Sequence, residues 1–298
     1  MSAGEPWPAI LEFVLDTPPP TLYHYTSMDG LLGIVGSGTI WASDTRYLND
    51  RTEATHFRDL LRVRIRERIK ALEASERTSF EEILAAIEST QTFDMFVASF
   101  SEDGDSLSQW RAYCPAGVGF SIGFDAGALR TGYVRDPAGG TSHFVSGQLS
   151  KVRYLPEEIG ASLDGLLSST EQVVLTLLNM FPVPGAETVG KAEAVALMIS
   201  FTAPIYKHAG FSEEHEWRLV LSKVHQPMPG RKFRPGKSML VPYVEAEPQS
   251  KEGYFIKEVI VGPTPHSGLS KESVEALFQA LNHREVTVRE SRVPYRHW

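Results

Sequence analysis

The chain of 298 residues is 42 % hydrophobic and 22 % charged, a balance that supports a full core and excludes disordered, collagen-like and fibrous classes. Its 29 basic and 37 acidic residues leave a net charge of −8, so whole-surface attraction to nucleic acid is excluded and any such contact needs a local basic patch. The single cysteine, Cys114, excludes an internal disulfide, a zinc ribbon and a thioredoxin-type pair, and fits a reducing cytoplasm.

The opening stretch MSAGEPWPAILEFVLDTPPP has no basic n-region, and Glu12 and Asp16 break its apolar run, so it does not read as a secretory signal. No uncharged apolar run of about 18 residues follows. No membrane partner is therefore expected. Pro18–Pro20 separate an amino-terminal arm, 1–20, from a single domain expected over 21–298. Leu22–Thr26 predicts a strand, Ser27 caps a short helix that Gly38 ends, and Thr39–Ala42 predicts a second strand. Leu61, Ile65, Ile69 and Leu72 keep helical spacing over about 52–73, and a second helix is expected over about 79–89. Further strands are expected at Met95–Phe100, Gly117–Phe124, Val152–Leu155, Trp217–Leu221, Ser238–Val244 and Ile256–Val261, with two helices between Pro156 and Phe201. Strands and helices come in blocks, which predicts an α+β fold with helical insertions at about 52–90 and 156–202.

Several familiar sites are missing. Gly230–Ser238 imitates a phosphate-binding loop but has five residues between its glycines and runs into a strand, so no helix terminus completes an anion cradle. Gly117-Val118-Gly119 lacks the third dinucleotide glycine. Glu53-x-x-His56 is a single copy of a pair that di-iron sites use twice, and His208 and His215 match no common metal spacing. No metal is expected.

Three stretches are denser in polar and aromatic residues than a core requires. His24 and Tyr25 sit on an apolar strand, where an imidazole either faces a ligand or needs a core partner worth about 1–3 kcal/mol. Ser99-Phe100-Ser101-Glu102 and Gln109–Tyr113 follow another strand. There Trp110, Arg111 and Tyr113 either stack on and clamp a nucleotide or form one face of a short helix. Finally, Glu214 and Glu216 stand two apart at a strand entrance, so both carboxylates face one side, a pattern suited to stabilising a cation or moving a proton. A solvated acidic turn is the alternative. Two basic clusters could meet phosphates: six cations against two carboxylates between 58 and 70, and Lys223, Arg231, Lys232, Arg234 and Lys237.

Taken in order, Leu22-Tyr23-His24-Tyr25-Thr26-Ser27, Leu48-Asn49-Asp50-x-x-Glu53, Ser99-Phe100-Ser101-Glu102, Gln109-Trp110-Arg111-x-Tyr113, Gly119-Phe120-x-Ile122-Gly123-Phe124, Glu214-x-Glu216-Trp217-Arg218, Val261-Gly262-Pro263 and Val293-Pro294-Tyr295-Arg296 resemble the bacterial domain of unknown function 2971 family. The resemblance runs from about Thr21 to the carboxyl end. The order of a His-Tyr-Thr strand, a middle aromatic segment and a late Glu-x-Glu strand is also similar to the ADP-ribosyltransferase superfamily. That resemblance implies a split sheet and NAD as substrate. It assigns His24 to the adenosine ribose, Tyr25 and Thr26 to the nicotinamide side, Ser101 to the middle-strand serine motif, and Trp110 or Tyr113 to stacking. Arg111 would meet a phosphate, Glu216 would stabilise the transition state and Glu214 would assist the acceptor. The implied activity is ADP-ribose transfer to a nucleic acid or protein, in a toxin or phage-defence setting with an antitoxin or defence partner. NAD hydrolysis and a non-catalytic nucleotide-sensing module are the alternatives.

Overall fold

The aromatic run after the triple proline forms strand β1 (Thr21–Thr26), as its side chains favour. This computed structural model describes residues 16–48, 53–73, 95–114, 118–130, 133–135, 143–144, 146–154, 203–222, 228–236, 238–250 and 253–295, with helical positions between 77 and 88. The expected arm before residue 16, Asn49-Asp50 and the insertion over 156–202 lie outside the described residues. Helix α1 (Met28–Ser37) starts where the Ser27 side chain accepts the Gly30 amide, and it ends at Gly38, whose φ of 68° lets its amide reach Ile34 O. Only a residue tolerant of left-handed backbone closes a helix this way. Helix α2 (Glu53–Ala71) buries Leu61 and Ile65, four residues apart on one face.

Strands β2 (Ile40–Asp44), β3 (Met95–Ser101), β4 (Phe120–Asp125), β7 (Ser146–Lys151), β8 (Glu216–Ser222), β10 (Leu240–Ala246) and β11 (Ile256–Val261) build most of one large sheet. The short strands β5 (Tyr133–Val134), β6 (His143–Phe144), β9 (Lys232–Pro235) and β12 (Thr287–Glu290) extend it. Pairing among the described strands is antiparallel apart from β11 with β12. The fold is thus mixed α+β with one large, mostly antiparallel sheet. Leu22, Phe96, Phe100, Phe124, Leu219 and Val259 pack on one face with α1, with α4 (Ala126–Leu129) and with α5 (Ser267–Ala280), where Val274 and Phe278 are buried. On the other face Tyr25, Cys114, Ile260 and Trp110 of α3 (Leu107–Tyr113) form a smaller cluster. Gly119 permits that contact, because a Cβ there would strike the Cys114 sulfur.

The sheet divides at β3. Along one edge β3 pairs with β8 from Met95↔Ser222 to Ser101↔Glu216. Along the other it meets β2 at Phe96 and Val97 but β1 only at Tyr23↔Ser101. Between those rungs β1 departs to β4 and β2 departs to β10, leaving a fork at residues 98–100.

Several expectations need correction. The strand expected at Val152–Leu155 lies earlier, at β7, and only an isolated bridge Arg153↔Tyr206 follows it. The glycine-rich strand begins at Phe120 instead of Gly117, and α5, β5, β6, β9 and β12 were not anticipated. Part of the second basic cluster is strand: β9 pairs with β10, Lys232 Nζ meets Glu245 at 2.9 Å, and Arg234 donates to Ser43 Oγ at 3.1 Å. On α2, Arg62 and Arg64 pair with Asp59 and Glu67, and Arg66 pairs with Glu88. Such surface pairs are common on a solvated helix face, and they leave the segment's excess of cations in place. Among the described residues no helix is long and apolar enough to cross a membrane.

Candidate functional site

At the fork the carbonyl of Ser99 is left without a strand neighbour on the β1 side, and an imidazole takes it: His24 Nδ1 lies 2.9 Å from Ser99 O. A carbonyl can only accept, so Nδ1 carries the proton. Burial pushes the His24 pKa down although the Ser99 bond opposes it, so the ring stays neutral and Nε2 is an acceptor. This ring lines two adjoining clefts, and Ser99 lines both with it.

The first cleft, small and open at its mouth, brings together Tyr23, Tyr25, Gln109, Tyr113, Glu214 and Glu216. The second, the roomier of the two, runs between the start of α1 and β2 and is walled by Thr26, Asp29, Trp41, Ser43 and Arg234. Trp41 is 44 % exposed and stands 4.4 Å from the Tyr243 ring, an aromatic shelf beside a guanidinium.

Glu214 and Glu216 reach one place by an irregular route. Glu214 ends a 3₁₀ turn (Ala209–Glu214), His215 adopts left-handed backbone at φ 42°, and Glu216 opens β8. So the two carboxylates meet, but not through the strand alternation expected, because only Glu216 is in the strand. A non-glycine residue at such a φ is uncommon and stays there only when its neighbours hold it. Here the His215 carbonyl accepts from Glu102 N at 3.0 Å, and the Ser101 hydroxyl donates to Glu214 O at 2.7 Å.

Glu216 is 4 % exposed. Burial alone would raise its pKa, but the Arg218 and Lys207 charges, with hydrogen bonds from Arg218 and the Ser99 hydroxyl, hold it at about 2. Arg218 Nε meets Glu216 Oε1 at 2.7 Å and Lys207 Nζ meets Oε2 at 3.0 Å. Glu214 behaves oppositely: burial raises its pKa even with Lys207 Nζ at 2.7 Å. Two carboxylates with pKa values pushed apart divide the work of fixed anion and proton carrier. Two cations and two carboxylates also cancel, which is how four ionisable groups remain out of water together.

The other predicted residues separate. Tyr113, 40 % exposed at the end of α3, borders the first cleft, and burial followed by the Glu214 charge pushes its pKa up to about 12. Trp110 is 1 % exposed; it donates to Asp105 Oδ1 at 2.8 Å and stands edge-on to Tyr25, away from the cleft. Of the two stacking candidates, only Tyr113 borders it. Arg111 lies 5.2 Å from the Tyr295 ring centroid and does not border the cleft. Tyr25 lends a ring face to the wall, while its hydroxyl donates to Asp103 O and accepts from Ser106 N, both at 2.8 Å. Ser101 does line the first cleft, and its hydroxyl orients Glu214 by donating to that residue's carbonyl. Thr26 borders the second cleft instead of the first.

Lys207, Arg218, Gln109 and Tyr23 complete the setting without having been singled out as site residues. Tyr23 donates to Glu258 Oε1 at 2.5 Å, and Glu258 also holds Arg289 at 3.0 Å. Arg218 was visible in the late strand as the next residue on the Glu216 side. Nothing in the local pattern marks Lys207. His208, weighed as a metal ligand, accepts the Gly210 amide and caps its turn. Among the described residues no group of three or more His, Cys, Asp or Glu is placed to hold a metal ion.

Residues 109–219 match the model of a family described as protein of unknown function (DUF2971). The matched span carries Gln109, Tyr113, Lys207, Glu214, Glu216 and Arg218, but not the β1 and β3 residues of the same cleft. It is narrower than the resemblance read along the chain from about Thr21. No curated protein and no solved structure matches the chain, so similarity to ADP-ribosyltransferases gains no support from these comparisons.

Proposed function

We propose that the chain is an NAD-dependent ADP-ribosyltransferase whose reaction centre is the first cleft. The observation that carries this reading is the meeting of a neutral His24, an exposed Tyr113 and an anionic Glu216 at a fork in the sheet. In this account Tyr113 stacks on nicotinamide and His24 Nε2 accepts a ribose hydroxyl. The adenosine end continues past His24 and Ser99 into the second cleft, toward Trp41 and Arg234. The bond from C1′ to the nicotinamide nitrogen breaks, and its electron pair neutralises the ring cation. Glu216 faces the oxocarbenium-like charge left on the sugar. An acceptor oxygen or nitrogen, from a nucleic acid or a protein, then bonds to C1′ while Glu214 takes its proton.

A second reading rests on a specific observation. Both Glu216 oxygens are already engaged by Arg218 and Lys207, which suits a nucleotide-binding module that keeps the network as scaffold. Nicotinamide release from NAD by wild type and Glu216→Gln, alone and with lysate, RNA or DNA, separates the readings. Release that requires both Glu216 and a macromolecule supports transfer, and Glu216-dependent release without one supports hydrolysis. No release, with NAD raising the melting temperature, supports the binding module. No release and no melting shift removes NAD from the account.

A further inference from the structure

The segment between residues 203 and 215 delivers an ammonium to the cleft. Lys207 is 8 % exposed, its backbone amide donates to Arg153 O at 3.0 Å, and its Nζ lies 4.7 Å from the Phe211 ring centroid. That Nζ touches Glu214 Oε2 at 2.7 Å and Glu216 Oε2 at 3.0 Å, so one charge bridges both carboxylates. Arg218 grips both Glu216 oxygens, donating from Nε to Oε1 at 2.7 Å and from Nη2 to Oε2 at 3.1 Å, and is anchored by Pro204 O at 2.6 Å. A buried ammonium is costly out of water unless it stays paired, so this contact is held firmly.

We propose that Lys207 is the positioning residue of this cleft: its ammonium fixes the spacing of Glu214 and Glu216 and supplies most of the charge compensation of Glu214, while Arg218 secures Glu216. Its catalytic consequence rests on the ADP-ribose reading above, whereas the clamp concerns the carboxylates alone. The titratable and charged groups around it are Glu214 from the 3₁₀ turn, Glu216 and Arg218 from β8, Tyr113 from α3 and Tyr154 after β7. Removing the shared cation leaves Arg218 on Glu216, so Glu214 loses the larger part of its compensation.

The test uses the full chain with ¹³C-labelled glutamate carboxyls, assigned through Glu214→Gln and Glu216→Gln, in wild type, Lys207→Met and Lys207→Arg. Lys207→Met moves the Glu214 titration upward by at least about one pH unit, which lowers its charged fraction, and nicotinamide release below that pH, about tenfold. Lys207→Arg restores both to within about threefold. A Glu214 titration unmoved in Lys207→Met, or a Lys207→Arg protein behaving like Lys207→Met, overturns the clamp. If Lys207→Met does not fold, Lys207→Met in the Glu214→Gln background leaves a balanced Arg218–Glu216 pair. The Glu216 titration must then rise above that of Glu214→Gln alone, and no rise overturns the proposal. If wild type releases no nicotinamide at any pH, the ADP-ribose reading fails while the titrations still decide the clamp.

Discussion

Replacing Glu216 by Gln removes one titrating group from the buried network, and the effect on stability has a defined pH window. Glu216 shifts from its ordinary 4.5 to about 2 on folding, against the desolvation that alone would raise it. At about 1.4 kcal/mol per pH unit, that difference contributes roughly 3 kcal/mol to wild-type stability at neutral pH. A depressed folded pKa stabilises above the unfolded value, and the contribution is lost as pH falls through the folded one. So the unfolding free-energy gap between wild type and Glu216→Gln, measured by urea titration, is constant above about pH 6. It narrows by roughly 3 kcal/mol between about pH 5 and pH 2, at no more than about 1.4 kcal/mol per pH unit. Glu214 titrates with the opposite sign, since its folded pKa is raised. Repeating the comparison in a Glu214→Gln background removes that term. Parallel stability curves across the whole range would refute the argument, because they would mean that Glu216 binds protons equally in both states.

The two aromatics of α3 separate stability from binding. Trp110→Phe breaks the Asp105 bond inside a packed cluster and costs about 1–3 kcal/mol in chemical denaturation, whereas Tyr113→Ala melts near wild type and loses the NAD-induced melting shift. Stability losses in the reverse order would contradict their packing. In ¹⁵N spectra His24 shows the Nδ1-H tautomer at pH 7 and titrates below its ordinary 6.5; a proton on Nε2 would refute the Ser99 bond. Gly104→Ala costs about 1–3 kcal/mol, because its new methyl lies within 2.5–2.8 Å of the Tyr23 ring while that ring is tethered to Glu258. Wild-type stability in this variant would mean that Tyr23 is free to move aside.

Local signals carried the elements they dominate. Ser27 and Gly38 bracket α1 because capping is decided within a few residues. The apolar runs at Met95 and Trp217 became strands covered on both faces, and the run at Ile256 became one with Lys257 exposed. Glu214 and Glu216 do meet, but not through strand alternation, because Glu214 ends a 3₁₀ turn and a left-handed His215 precedes the strand. By contrast, β9 and β12 are four-residue strands rich in charge, and partners from elsewhere in the chain define them. Trp110 and Tyr113 stand three apart on one helix, so spacing could not say which faces the core and which the cleft; the Asp105 and Tyr25 contacts decide it. Lys207 joins Glu214 and Glu216 through an irregular segment anchored on Arg153, a tertiary placement with no periodic signature.

The single rung between β1 and β3 makes the fork a mechanical seam. Two halves of a sheet joined by a full ladder separate only if many backbone bonds break together, but here the joint is spanned by one strand rung, the His24 imidazole and the Tyr25 hydroxyl bonds to Asp103 and Ser106. The His24 bond borders both clefts and is made by Nδ1, so a ligand held through Nε2 meets the seam without displacing it. Each half keeps its own ladders, β1 on β4 and β3 on β8, so widening breaks few backbone bonds but has to part the Phe100–Phe124 contact of the shared core. Amide exchange should then quicken along the fork while β4 and β8 remain protected, a pattern of two stiff plates moving about one line.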